Sequence, residues 1–185
     1  MSDQQRDWLA RLAQRIPGYG GYVERERRRD VDKLQREHLA DQLRALKTPL
    51  TDAMRELTNA PGGLSEIGPL ERLVKKLDRI ENRVRFATYG YAGFFDVTKV
   101  EEQQLESLYR FDLALVERTD ALAAKVRELQ TKAAGDAAGA LKTAVGEAER
   151  ALDELNQTFD ERHSTIDSSG GGGDGSQGAR SLFDA

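Results

Sequence analysis

The chain has 185 residues, of which 38% are hydrophobic and 32% are charged, and its formal net charge is −4. This composition is less apolar and more charged than that of an average globular domain, which predicts long helices with wide solvated faces around a thin core. The net negative charge disfavours nucleic acid as a partner, and the absence of cysteine excludes disulfides and thiolate metal sites. No stretch is apolar enough for a secretory signal or a membrane span, so we expect a cytoplasmic protein.

The first predicted helix covers residues 3–16. Ser2 and Gln5 have the spacing of a capping box, in which each side chain bonds the backbone N–H of the other residue. The apolar residues of this helix fall on one face and consist of Trp8, Leu9, Leu12 and Ile16. Such a face either docks on the protein's own bundle or lies at a membrane surface, where these four side chains would contact lipid.

Two turns combine glycine with aromatic residues. The first, IPGYGGY at 16–22, ends the first helix, and the second, ATYGYAGFF at 87–95, lies in mid-chain. Neither has the preceding strand and the following Lys, Ser or Thr of a nucleotide-binding loop. Their aromatic residues either plug the end of a thin bundle or form a surface that binds a protein partner. These residues are Tyr19, Tyr22, Tyr89, Tyr91, Phe94 and Phe95.

The second predicted helix, 23–59, opens with the most charged run of the chain, VERERRRDVDK at 23–33. Because acidic and basic side chains interleave, the run is typical of a solvated, salt-bridged face. Contact with anionic lipid or phosphate and binding of nucleic acid are the alternatives. Pro49 predicts a kink or a break, with Thr48 as the cap and Pro49 at the first helical position. The apolar residues recur at steps of four and three, as in a coiled-coil seam: Leu39, Leu43, Leu46, Leu50, Ala53 and Leu57.

Three further helices follow the turn at 59–69, and each carries an apolar stripe. The third helix is predicted from Pro69 and the fourth from about residue 96. The fourth has Asp112 and Thr119 at stripe positions, where they either fix the helix register or face the edge of a broad stripe. The fifth has apolar residues at steps of three and four from residue 138 to Phe159, and it is predicted to fray near Ser164. No segment alternates with the period of a strand, so we predict an all-α protein, built as an antiparallel bundle or a long helical hairpin with coiled-coil-like seams.

The residues after 166 are rich in glycine and serine, which predicts a flexible, disordered C-terminal tail. The large apolar residues of this tail are Leu182 and Phe183 in SLFDA, and they form a candidate protein-binding motif on a tether. The chain therefore divides into an N-terminal helix and turn at 1–22, a helical domain at 23–166 and a tail at 167–185.

No combination of residues in the sequence indicates catalysis. His38 and His163 are the only histidines, and neither has a partner at the spacing of a metal site. A ferritin-type E-x-x-H pattern and a serine nucleophile elbow are both absent. We therefore predict that the protein is not an enzyme and has no catalytic residue, no metal and no cofactor.

Two segments, RIPGYGGYVERERRRDVDKLQREHLA at 15–40 and RVRFATYGYAGFFDVTKVEEQQLESLYRFDLALVE at 83–117, resemble a family of small bacterial helical proteins. The resemblance lies in an Ile-Pro-Gly-Tyr-x-Gly-Tyr turn and a Tyr-Gly-Tyr-x-Gly-x-Phe-Asp turn, and the two segments cover about a third of the chain. It implies a bacterial, helical, soluble protein, and it implies no activity, ligand or catalytic residue.

The sequence as a whole favours a non-catalytic helical scaffold that binds another protein or a second copy of itself as a homo-oligomer. The alternative is a peripheral membrane protein, similar in architecture alone to phage-shock protein A. In that case the N-terminal amphipathic helix would contact the inner membrane.

Overall fold

A computed structural model describes residues 2–22, 27–60, 63–87, 102–135 and 138–170. Within these ranges the protein consists of helices without strands, so the all-α prediction is confirmed. None of these helices is both long enough and apolar enough to cross a membrane. Their bounds are α1 Asp3–Arg15, α2 Arg28–Ala45, α3 Lys47–Asn59, α4 Leu64–Phe86, α5 Glu102–Ala133 and α6 Ala138–Gly170.

Interhelical ion pairs define the direction in which each helix runs. The antiparallel hairpin of α5 and α6 is bridged twice, and α4 lies parallel to α6 with two more bridges. The rod formed by α2 and α3 is antiparallel to α4. The bridges between α5 and α6 are Arg118–Glu154 and Lys125–Glu147. Those between α4 and α6 are Lys76–Asp153 and Arg83–Asp160. Those between α4 and the rod of α2 and α3 are Asp41–Arg85 and Lys47–Asp78.

The apolar stripes that the sequence predicts form most of the core, and residues outside the stripes, such as Tyr109, Leu113 and Val116, are buried with them. The seam of α2 and α3 is buried along its whole length, and the stripe of α6 is buried from Leu141 to Phe159. Each fully buried leucine stabilises the fold by about 1.5–3 kcal/mol relative to an exposed one. The apolar stripes of α2 and α3, α4, α5 and α6 therefore face one another inside the bundle and supply most of its stability.

The predicted interruption near Pro49 is a break between two helices, but it lies upstream of the predicted place. α2 ends at Ala45, Leu46 forms a turn, and α3 begins at Lys47, so Pro49 occupies the third helical position and Thr48 is not the cap. Proline has no N–H for the carbonyl four residues earlier, and its ring clashes with that carbonyl. For Pro49 this residue is Ala45, which explains why α2 ends there.

Two other predicted boundaries are wrong. α4 begins at Leu64, so Pro69 lies inside this helix, where its second turn loses a single backbone hydrogen bond. α6 continues past Ser164 to Gly170. The hydroxyl of Ser164 bonds the carbonyl of Asp160 within the helix, and α6 ends at the first of four consecutive glycines, the poorest helix formers after proline.

The predicted capping box of α1 is confirmed. The Gln5 N–H donates to Ser2 Oγ at 3.2 Å, and the Ser2 N–H donates to Gln5 Oε1 at 3.0 Å. α1 packs along α5 with its apolar face inward, and Leu12 and Ile16 are buried. On the outer side of this contact, two ion pairs tie the helices together: Arg11–Glu117 and Arg15–Asp120.

Candidate functional site

Six charged or phenolic side chains meet inside one end of the bundle, which we call the cluster end. They come from the turn after α1 and from α2, α5 and α6, and each is at most 5% exposed. Polar groups buried to this degree are rare unless they are paired with one another. This buried ionic cluster consists of Tyr19, Tyr22, Asp32, Arg36, Asp112 and Arg162.

Arg162 lies at the centre of the cluster. Its Nε donates to Asp112 Oδ1 at 2.7 Å, and one of its terminal nitrogens donates to Asp32 Oδ1 at 2.8 Å. The second oxygen of Asp32 accepts from Arg36 Nε at 2.8 Å. Positive and negative groups thus alternate across α2, α6 and α5. Since each buried charge has an opposite charge at hydrogen-bond distance, the desolvation cost of the group is offset.

Two tyrosines complete the coordination of Asp112. The hydroxyls of Tyr19 and Tyr22 donate to Asp112 Oδ2 at 3.0 and 2.6 Å. Burial is the main cause that raises the pKa of both phenols well above the ordinary value, and the nearby Asp112 charge raises it further. Both hydroxyls therefore stay protonated and act as donors at neutral pH.

The pKa of Asp112 itself is raised above its ordinary value. Burial is the largest cause, and the Arg162 charge and the hydrogen bond from Tyr22 act in the opposite direction. Arg162 thus limits the rise in the pKa of this buried carboxyl, and its removal would raise the pKa of Asp112 further.

The cluster also holds the ends of neighbouring elements. A terminal nitrogen of Arg36 donates to the carbonyl oxygen of Arg85 at 3.0 Å, in the last turn of α4, where carbonyls lack helical partners and carry partial negative charge. Arg28 Nε donates to the carbonyl oxygen of Tyr22 at 3.0 Å, and the Tyr22 N–H donates to the Tyr109 hydroxyl at 2.8 Å. The turn after α1 and the ends of four helices are therefore fastened at one place.

Another buried charge, Glu81, lies on α4 outside the buried ionic cluster, four residues before Arg85. Glu81 accepts from Arg85 Nε at 2.8 Å and from Lys47 Nζ at 3.0 Å. Burial acts to raise the pKa of Glu81, but the hydrogen bonds from Arg85 and Lys47 outweigh it, and the pKa is lowered. Glu81 is thus held ionised, with both of its oxygens occupied.

The charged run at 23–33 differs from the solvated face that the sequence predicts. Arg28 and Asp32 are buried, because this side of α2 faces the other helices, and both take part in the contacts above. The solvated description holds for the exposed residues of the run that the structure describes: Arg27, Arg29, Asp30 and Lys33.

Sequence reasoning identified Asp112 but left its role open, and it missed Asp32, Arg36 and Arg162. Asp112 is fully buried, which rules out an edge position. The missed residues lie on the stripes when the spacing of each stripe is continued: position 162 is three residues after Phe159, and positions 36 and 32 precede Leu39 at steps of three and four. A charged residue at the next stripe position was the available signal.

The predicted partner-binding aromatics fall into two groups. Tyr19 and Tyr22 are 5% and 0% exposed, which matches a plug at the bundle end and leaves neither displayed for a partner. Their rings meet edge to face, with centroids 6.1 Å apart. The other six predicted residues lie outside the described residues: Tyr89, Tyr91, Phe94, Phe95, Leu182 and Phe183.

The predicted membrane-contact residues lie on α1 and, for Ile16, at its C-cap, and their exposures differ. Leu12 and Ile16 are 0% and 1% exposed, while Trp8 and Leu9 are half-buried against the same core. Contact of all four with lipid would therefore require α1 to leave its place on α5.

A cleft of about 340 Å³ opens beside the buried ionic cluster. Gly21, in its wall, has a φ of +75°, and a Cβ there would lie 2.7 Å from both a Leu9 methyl group and the Tyr109 hydroxyl oxygen. Glycine is thus required at this position both for its backbone angle and for the close packing. The cleft is lined by Gly18, Gly20, Gly21, Arg27, Asp30, Val31 and Leu34.

Within the described ranges, no group of three or more His, Asp or Glu side chains is placed to hold a metal ion. The buried ionic cluster has its donors and acceptors turned toward one another and is closed to solvent, so its chemistry is that of a structural fastening. Comparison of the chain with family models, curated proteins and solved structures finds no match.

Proposed function

We propose that the protein is a non-catalytic helical scaffold that binds a protein partner at the cluster end of its bundle. One observation carries this proposal: three connecting or trailing segments attach at this same end. Residues 23–26 join Tyr22 to α2, residues 88–101 join the end of α4 to the start of α5, and residues 171–185 follow α6. The contacts of Arg36 and Arg162 bring these attachment points together.

The composition of these segments supports a protein as the partner. Residues 88–101 contain two tyrosines and two phenylalanines, and residues 171–185 contain Leu182 and Phe183. Aromatic side chains carry a large share of the binding free energy in protein interfaces. A bundle end held by buried ion pairs provides a rigid base for such segments, which lowers the entropy cost of binding.

The sides of the bundle are less suited to a partner. In the part of the chain that the structure describes, the large hydrophobic residues with high exposure are Leu64 and Phe86, at 70% and 66%. They lie at opposite ends of α4, about 33 Å apart at 1.5 Å per residue. Between them the helix sides carry ion pairs, so a broad apolar interface along the bundle, of the kind that obligate oligomers use, is not favoured.

Protein binding is favoured over the two other classes of function. The membrane alternative requires exposure of Leu12 and Ile16, which are core residues. Burial of a leucine or isoleucine stabilises by about 1.5–3 kcal/mol, so release of α1 needs a compensating gain from lipid. Catalysis would need an accessible reactive group, and the cluster's polar atoms are enclosed.

The proposal is tested by photo-crosslinking from the two exposed hydrophobic positions of α4. A photoreactive phenylalanine analogue is placed at Phe86, next to the 88–101 segment, or at Leu64, at the opposite end. Both positions are similarly exposed, so each serves as a control for the other. Crosslinking is carried out in cells of the source organism, and the adducts are identified by mass spectrometry.

We expect a discrete protein adduct from position 86 and none from position 64. An adduct of twice the chain mass at position 86 would identify the partner as a second copy. Equal labelling from both positions, or adducts with lipid alone, would contradict the proposal.

A further inference from the structure

The cleft beside the buried ionic cluster has the features of a site for a short peptide. Three of its lining residues are glycines, so its wall there is bare backbone, and Val31 and Leu34 provide apolar side chains. Arg27 and Asp30, both exposed, place one positive and one negative charge on it. Its volume of about 340 Å³ lies at the lower end of the range of ligand pockets, about 300–1,000 Å³. It therefore suits one or two apolar side chains flanked by opposite charges.

The chain itself contains a segment with this pattern. In residues 171–185 the large apolar residues are Leu182 and Phe183, and the charged residues nearest to them are Arg180 and Asp184. The apolar pair matches Val31 and Leu34, and the two flanking charges match Asp30 and Arg27. We infer that residues 180–184, Arg-Ser-Leu-Phe-Asp, bind in this cleft of the same molecule.

The position of α6 brings the segment within reach. Arg162 bonds Asp32, which lies next to Val31 in the cleft wall. From Arg162 the helix continues for eight residues to Gly170, about 12 Å. Twelve residues of glycine-rich sequence then lead to Leu182, and glycine-rich sequences of this length have an average end-to-end distance of about 20 Å. This length is sufficient for Leu182 to reach the cleft.

Tethering also makes weak affinity sufficient. A short flexible linker holds its motif at an effective concentration in the millimolar range. A segment that binds the cleft with a Kd of about 1 mM thus occupies it in at least about half of the molecules. Docking of residues 180–184 does not depend on the proposed partner and is measurable in its absence.

Paramagnetic relaxation enhancement tests this inference on the full chain. Because the sequence has no cysteine, Ser181→Cys provides a single attachment point for a spin label. The label broadens the backbone amide signals of residues near it in the ¹⁵N-labelled protein. We expect broadening at Gly18, Gly20 and Val31, and none at Leu57, at the far end of the bundle.

Two changes in the labelled chain separate docking from random tail motion. Phe183→Ser removes the apolar anchor and is expected to abolish the broadening at the cleft. Gln177→Ser, a polar change in the same linker, is expected to leave it intact. Gly20→Leu adds a large side chain to the wall of the cleft and should also abolish the broadening. The fold should accept this substitution, because a Cβ at Gly20 meets no atom within 4 Å and the backbone φ there is not left-handed.

Three results would overturn the inference. The first is an unbroadened cleft in the labelled protein, and the second is broadening that survives Phe183→Ser. The third is found by mixing two copies, one with the spin label and no ¹⁵N, the other with ¹⁵N and no spin label. Broadening of equal size in this mixture would show that residues 180–184 bind a second molecule. Each of these leaves the crosslinking result from Phe86 unaffected, so the two proposals fail separately.

Discussion

Replacement of Arg162 by leucine is expected to destabilise the protein more than any surface substitution. Arg162 is fully buried and makes two ion pairs, with Asp112 and Asp32. Its loss leaves two buried carboxylates without their shared cation. Removal of one partner from a buried ion pair costs about 3–5 kcal/mol. For a chain of this size about 1 kcal/mol corresponds to 2–4 °C in Tm, so the expected loss is roughly 6–20 °C.

Arg118→Leu is the matched control, because it makes the same change in an ion pair between the same two helices. Arg118 bonds Glu154 across α5 and α6, but the two side chains are 40% and 65% exposed. Exposed pairs contribute about 0–1 kcal/mol. Thermal and urea unfolding followed by circular dichroism measure both variants. If Arg162→Leu lost no more stability than Arg118→Leu, the assignment of the buried ionic cluster as the fastening of the bundle would be refuted.

The pH dependence gives this prediction a second, independent readout. Burial raises the pKa of Asp112, and Arg162 opposes that rise, so in Arg162→Leu the folded-state pKa is higher still. A carboxyl whose pKa is higher in the folded state binds more protons there, and stability then increases as pH falls toward the unfolded pKa. The loss of stability caused by Arg162→Leu should therefore be largest near neutral pH and should become smaller toward about pH 4. The Arg118→Leu deficit, already small, provides the baseline.

Three further predictions test other parts of the structure. Gly21→Ala should cost more than about 1 kcal/mol, because it combines a left-handed φ with a 2.7 Å clash, while Gly20→Ala should stay within about 0.5 kcal/mol, as measured by urea unfolding. Glu81→Gln should lower stability at neutral pH, and this loss should diminish as pH falls below about 4.3, since the lowered pKa of Glu81 gives stability that is lost as pH falls from the unfolded pKa through the folded pKa. In vesicle flotation neither the natural chain nor Trp8→Glu should float with anionic or neutral lipid; flotation abolished by Trp8→Glu would instead make α1 a membrane anchor.

The helical core could be predicted from the sequence because its information is local. Leucines such as Leu43 and Leu50 repeat at helical spacing, and that spacing alone indicates both the helix and its buried face. The place where α2 ends was harder to predict, because a proline is tolerated at several positions in the first turn of a helix. The clash of the Pro49 ring with the carbonyl of Ala45 decides among these positions. The spacing of apolar residues therefore identified the helices better than it identified their ends.

The buried ionic cluster could not be predicted in the same way because its pairing is non-local. Arg162 and Asp32 are 130 residues apart in the chain, and each taken alone resembles one of the many solvated charges of this sequence. Asp112 was noticed because it interrupts a stripe of leucines. What the sequence could not show is that the charges at continued stripe positions arrive at the same end of the bundle, where opposite charges pair.

Leucine seams alone would leave the alignment of α5 and α6 weakly defined, and the cluster removes this ambiguity. A slip of one heptad keeps most apolar residues facing apolar residues. The same slip in this antiparallel pair would place Asp112 opposite Leu155 and Arg162 opposite Leu105, so Asp112 would be buried without Arg162, while Arg162 would keep Asp32. A buried carboxylate that loses its cation costs several kcal/mol. The native alignment is therefore selected by charge, and with it the relative position of the start of α5 and the end of α6.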